Sequence, residues 1–218
     1  MTKISYKGQD LSGKRFFGAE LNEADLSETN LSSARLSGAE LTDADISNAN
    51  LTGAHLNRAV MVRANLVNSD LTGAKMMEAN LTDANLSQAN LSNISGVDAN
   101  FTNANLTDVK LCGANLSGAN LTKANFTGTD LQGGIFSNAD LREAILTGSN
   151  LNGVNLSGAN LSRADLSGAI LTGADITKAN FAKTNLSGAD LRGVNIYATN
   201  IVEAELSGAT MPDGTKRG

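Results

Sequence analysis

The chain has 218 residues, 17 Lys+Arg against 22 Asp+Glu for a net charge of −5, and a hydrophobic fraction of 41% with only 4% aromatics and no Trp. That balance argues against direct nucleic-acid binding, and no stretch approaches the roughly 18 consecutive apolar residues of a membrane span. The single cysteine, Cys112, excludes an internal disulfide framework and fits a reducing compartment, so the sequence predicts a cytoplasmic protein.

The first residues, "MTKISYKGQDLSG", carry no apolar h-region and predict no signal peptide. Residues 1–10 read as an N-terminal cap. From residue 11 to residue 211 one period dominates: of 41 consecutive fifth-residue slots, 40 hold Leu, Ile, Met or Phe, and only Gly96 departs. If the central slot is i, then i−2 is Ala in 28 of 41 cases, i−1 is mostly Asn or Asp, i+1 is often Ser or Thr, and i+2 is often Gly. A helix needs apolar residues near every 3.6 and a strand needs alternation of two, so five fits neither. A chain that bends once per pentapeptide satisfies the pattern. It places i and i−2 inside, and four pentapeptides close a square coil of about 20 residues whose successive turns pair at strand spacing, about 4.8 Å. Gly at i+2 suits a turn position with positive φ.

In chain order, the first coil has polar Gln9 and Lys14 at i−2, which predicts a polar lid over the N-terminal mouth, since an open β-helix end is a sheet edge. Folded at 20 residues, the next coils collect Glu20, Glu23, Asp25, Glu28, Glu40, Asp43 and Asp45 on two neighbouring faces, a candidate partner surface. The preceding face carries a basic i−1 ladder of Arg15, Arg35, His55 and Lys75, which could offset that charge. Val60, Val62, Val67 and Met77 are apolar candidates for the nearby surface. Residues 1–109 hold 8 basic and 13 acidic residues, and residues 110–218 hold 9 and 9, so all of the net charge lies in the first half.

At "ANLSNISGVDANF" the sizes of the two inward slots are exchanged: Ile94 stands for Ala and Gly96 for Leu. Volume-conserving swaps are the ones cores tolerate best, so compensation within one coil is the simpler reading. A local bulge that tilts one half of the rod is the sharper one. Cys112 lies about three coils from His55, too far for a dyad that needs contact within about 3 Å. Ligand sets of the zinc type are absent, and nothing predicts a pocket that would perturb a carboxylate, so no catalytic, metal or cofactor site is expected. Ile135, Ile145 and Ile170 fall at outward slots on three different faces. Residues 212–218 are a short tail, where Pro212 removes a backbone donor and should end the pairing.

"ANLTDANLSQANLS", "ANLSGANLTKANFTG" and "ADLSGAILTGADI" resemble the A(D/N)LXX motif of the pentapeptide repeat proteins, over residues 4–211. The resemblance implies an all-β fold, a right-handed quadrilateral parallel β-helix of about ten coils and about 48 Å. The chain is then a single domain, and a rod of this kind is expected to be a non-enzymatic scaffold or protein-interaction module, monomeric, with an unidentified protein partner. The resemblance implies an alternative. Some members mimic duplex DNA, bind DNA gyrase or topoisomerase IV and protect against quinolones. A duplex of about 48 Å carries about 28 negative charges, against a net of −5 here. The scaffold reading is preferred.

Overall fold

The structure is a computed structural model that describes residues 4–218. Each pentapeptide is a bend. The i+3 amide donates to the carbonyl of i, as Ala34 does to Leu31 at 2.9 Å. Every i+2 slot from 8 to 208 has φ between 55 and 70°, the third-residue conformation of a type II turn. Between bends, coils are joined by bridges at the i−1 residues. There are 37 parallel bridges, and each spans 20 residues, so four pentapeptides close one coil. Three bonds repeat around the ladder: Leu31 N–H to Asn50 O at 2.7 Å, Ser33 N–H to Thr52 O at 2.9 Å, and Asn50 N–H to Thr29 O at 3.0 Å. The backbone groups are satisfied by neighbouring coils, which is why a fold without helices or long strands can be stable. Pairing begins at Ser5, so residues 5–10 of the expected cap are already the first coil.

The i and i−2 side chains fill the bore. Phe101, Phe126, Phe136 and Phe181 are fully buried among the leucines and alanines. Where Ser or Thr replaces Ala at i−2, its hydroxyl donates to a carbonyl: Ser69 to Leu66 at 2.6 Å, Thr129 to Leu106 at 2.7 Å, Thr184 to Leu161 at 2.8 Å. A buried hydroxyl is tolerated only with such a partner.

The exchange at 94 and 96 is compensation. Ile94 is buried, and a Cβ built on Gly96 would lie 2.8 Å from Leu116 Cδ2, 3.5 Å from Met76 Cγ and 3.7 Å from Ile94 Cδ1. The Ile94 side chain fills the space left by the missing Leu. Gly96 keeps the ladder, donating to Asn115 O at 2.8 Å while its carbonyl accepts from Ala99 at 3.1 Å, so there is no bulge. Gly134 repeats the logic: a Cβ there would meet Phe136 Cε2 at 2.8 Å and the Leu131 carbonyl at 3.0 Å.

The ends depart from the expectations. Gln9 and Lys14 are exposed, and the plug at the N-terminal mouth is an edge-to-face pair of Tyr6 and Phe16 with centroids 6.1 Å apart. At the other end Pro212 does not stop the pairing. It cannot donate, yet its carbonyl accepts from Gly193 at 3.2 Å. The chain then reverses at Asp213 and Gly214, and Thr210 pairs antiparallel with Lys216. Arg217 N–H donates to Ala209 O at 2.8 Å, so the tail covers part of the last edge. One bridge of the regular series, Asp175 to Asn195, is missing. There the last coil leans away, Ile196 is only half-buried, and Tyr197 is 85% exposed.

Candidate partner-binding surface

The outward positions i−1 and i+1 act together. The Asn or Asp side chain at i−1 accepts from the amide of i+1 and from its hydroxyl, as Asn80 does from Thr82 at 3.1 and 2.6 Å. It also ties to the next coil: the Asn105 amide donates to Asn85 at 3.1 Å and the Asn180 amide to Asn160 at 3.2 Å. Such local bonds explain why the i−1 column is Asn and Asp on most of the rod. A departure from Asn at i−1 therefore gives up a bond and stands out.

Glu20 and Glu40 of the acidic corner depart in this way, whereas Asp25 and Asp45 keep the bond, and the 20-residue register assembles the corner as the sequence predicts. Glu20 bridges Glu40 on one face, and Asp25 bridges Asp45 on the next. Its members have different surroundings. Asp25 and Asp45 accept from the Ser27 and Ser47 amides, each at 3.1 Å, and Asp45 also from Asn65 at 3.0 Å. Asp43 takes a two-pronged bond from Arg63, Nε at 2.7 Å and Nη2 at 2.5 Å, and that guanidinium holds its carboxyl below the usual carboxylate range. Glu28 pairs with Lys7 at 3.2 Å. Glu20, Glu23 and Glu40 form no ion pair among the described residues.

Arg15, Arg35, His55 and Lys75 do stack, bridge by bridge, but none makes an ion pair with the acids among the described residues. They lie at i−1 of the preceding face. The charges that reach the corner are Lys7 and Arg63. Val60, Val62 and Val67 are half-buried, Met77 is 43% exposed, and Ile135, Ile145 and Ile170 stand apart on separate faces.

A second feature escapes a reading of the corner alone. Glu23 and Asp43 begin an i+2 column that runs up one edge of the rod: Glu23, Asp43, Arg63, Asp83, Asn103, then Lys123, Glu143, Arg163, Lys183, Glu203. The other three i+2 columns contain all 18 positive-φ glycines of the repeats, and this one contains none. Nine of its ten residues are charged, all ten are exposed, and all hold φ between 55 and 63°. A non-glycine residue in that conformation costs on the order of 1 kcal/mol. Folding the i+2 positions at 20 residues and comparing the four columns would have exposed it.

The Cys112 thiol donates to Asp130 at 3.2 Å, and burial, then the Asp130 carboxylate, push its pKa up, away from the reactive thiolate. Among the described residues no group of three or more His, Cys, Asp or Glu could hold a metal ion.

The model of the pentapeptide repeats matches the chain in eight copies, over residues 10–48, 39–77, 79–118, 99–138, 135–173 and 174–211. The chain belongs to the pentapeptide repeat family. Among solved structures it is similar to HetL, a pentapeptide repeat protein involved in heterocyst differentiation regulation from the cyanobacterium Nostoc sp. strain PCC 7120. The identity is 33% over 99% of this chain and 94% of HetL, with a TM-score of 0.52. It shares its fold with a trypsin-treated form of QnrB1, a plasmid-mediated fluoroquinolone resistance protein, at 19% identity over 93% of this chain and 90% of that one, TM-score 0.55. No curated protein matches.

Proposed function

We propose that this pentapeptide repeat protein is a non-enzymatic, cytoplasmic scaffold, a right-handed β-helical rod whose N-terminal acidic corner recognises a basic protein surface. The observation that carries the reading is the bridge between Glu20 and Glu40, two carboxylates stacked in one ladder with no ion pair among the described residues. Stacked like charges oppose pairing, and higher in the same column the chain uses Asn80, Asn100 and Asn120, which bond to their own turns. Keeping Glu there sacrifices local stability for a negative field, which steers a basic partner. HetL is involved in heterocyst differentiation regulation, and a regulatory role of that kind needs a binding surface and no catalyst.

The test is a four-site variant, Glu20→Asn, Asp25→Asn, Glu40→Asn and Asp45→Asn. It should melt at a higher temperature than the parent and lose a salt-sensitive partner captured by the parent. Capture at unchanged affinity would show the corner to be plain surface. The gyrase reading is separated by a supercoiling assay. DNA gyrase activity is expected to be unaffected by this protein, because its net charge of −5 falls far short of a duplex. Dose-dependent inhibition or protection would favour the DNA-mimic alternative.

A further inference from the structure

The glycine-free edge column carries its charges in a definite order. Read upward it is negative at Glu23 and Asp43, positive at Arg63, negative at Asp83, neutral at Asn103, positive at Lys123, negative at Glu143, positive at Arg163 and Lys183, and negative at Glu203. Within one chain several neighbours neutralise each other: Arg63 with Asp43, Lys123 with Glu143 at 3.7 Å, and Lys183 with Glu203 at 3.5 Å. Like charges also stack in two doublets, Glu23 on Asp43 and Arg163 on Lys183, and of these four Glu23 and Arg163 make no ion pair among the described residues.

We infer that this edge is a self-complementary interface on which a second copy of the chain lies antiparallel, with the two-fold axis passing beside Asn103. The operation carries each residue of the column to the position equally far on the other side of Asn103. It sets Asp83 against Lys123, Arg63 against Glu143, Asp43 against Arg163 and Glu23 against Lys183. Every pair is of opposite sign, and each occurs twice in an isologous contact. Asn103, which in one chain donates to Asp83 at 3.0 Å, faces its own copy. The two like-charge doublets meet: the acidic pair of one copy lies against the basic pair of the other. The register is sharp against its neighbours. A slide by one coil in one direction puts Asp43 against Glu143, and in the other puts Arg63 against Arg163.

This accounts for two features that a solvated edge leaves without a cause. Charged residues hold a backbone conformation for which the other columns use glycine freely, and the repulsive doublets sit at mirrored heights. The pairs nearest Asn103 carry most of the contact, because any supercoil of the rods separates the outer ones. Exposed ion pairs are individually weak and are screened by salt. The association is therefore weak. The expectation of a monomer, which rested on the lack of an apolar dimerisation tail, holds at high ionic strength and gives way at low ionic strength. The inference rests on the scaffold reading only in that both need a rod with usable outer charges. Glu23 and Asp43 belong to the edge, whereas Glu20, Glu40, Asp25 and Asp45 flank it.

The experiment is sedimentation velocity of the full chain at about 20 mM and about 500 mM ionic strength, either side of the salt range over which a Debye length shrinks below the reach of such pairs. At low salt the parent should approach twice its mass of 22.5 kDa, and at high salt it should be single. Asp83→Lys and Lys123→Asp should each stay single at low salt, since each places like charges together twice. The double variant D83K/K123D, and an equimolar mixture of the two single variants, should recover the paired species, because both arrangements restore opposite charges. Melting curves of all variants check that they are folded. A parent that is single at low salt, or single variants that pair like the parent, would overturn the inference. Neither result touches the partner capture by the four Asn substitutions, which tests the scaffold reading separately.

Discussion

Gly96→Leu puts back the residue that the period asks for, and it should destabilise the protein. The clash can be read from the coil. A Cβ at 96 already comes to 2.8 Å of Leu116 Cδ2, closer than real Cβ atoms approach, and the remaining three carbons of Leu would enter space held by Ile94 Cδ1 and Met76 Cγ. Gly96 is not among the positive-φ residues, so backbone strain plays no part and the cost is overpacking, about 1–3 kcal/mol. Ile94→Ala alone leaves a cavity and should cost about 2–5 kcal/mol. The double variant, I94A with G96L, recreates the ordinary Ala and Leu pair. It should fall within about 1 kcal/mol of the parent, so the two changes are strongly coupled. The assay is denaturant unfolding by circular dichroism for the parent, both single variants and the double variant. A rod of repeats need not unfold in one step, so midpoints and the coincidence of two probes should be compared before free energies are assigned. Additive effects, or a Gly96→Leu variant more stable than the parent, would refute compensation and mean that the slot is an unfilled void.

Three further outcomes are expected. Gly134→Ala should destabilise by about 1–3 kcal/mol, since its Cβ meets Phe136 Cε2 and a backbone carbonyl, and Phe136→Leu should relieve most of it; a neutral single substitution would show the coil to be loose there. Asp43 and Asp140 have carboxyls held below their ordinary range by Arg63 and Arg142, so their contribution is full above the unfolded-state value near 4 and fades as pH falls through the lower folded value. Replacing Asp43 and Asp140 with Asn should flatten the acid side of a melting-temperature profile below about pH 4 and leave its slope above pH 6 unchanged. Deleting residues 212–218 should raise aggregation on warming, measured by light scattering, because the edge amides of Gly208 and Met211 lose their partners in the tail. An unchanged aggregation onset would mean that the reversal is incidental.

The coil was legible in the sequence because its signal is a strict period in side-chain size. Leu at i and Ala at i−2 leave no choice about what lies inside, and the stack of Glu20 on Glu40 followed from counting by 20. The exchange at Ile94 and Gly96 was readable for the same reason, as a matter of volume. What stayed hidden depends on direction. Arg15 and Arg35 are close to the acids in sequence and in coil number, yet it is Arg63, above Asp43 in the i+2 column, that reaches a carboxylate. The C-terminal reversal was hidden because the effect of Pro212 was read from its missing donor, while its carbonyl still accepts. The charged edge does not show in the five-residue period, because glycine at i+2 belongs to three of the four columns and only the 20-residue register separates the fourth.

Columns, corner and edge all depend on there being four pentapeptides in each turn of the rod. Spin labels at positions 43 and 163, placed on a Cys112→Ser background, test this directly by pulsed dipolar spectroscopy. Both positions are exposed, both lie in one column, and both carry non-glycine residues at positive φ already. At about 500 mM ionic strength, where the rods are single, six coil steps at about 4.8 Å put the labels about 29 Å apart, in a narrow distribution. A coil of three pentapeptides would make the same separation eight steps, about 38 Å, and a distance near that value, or a broad distribution without a peak, would contradict the account.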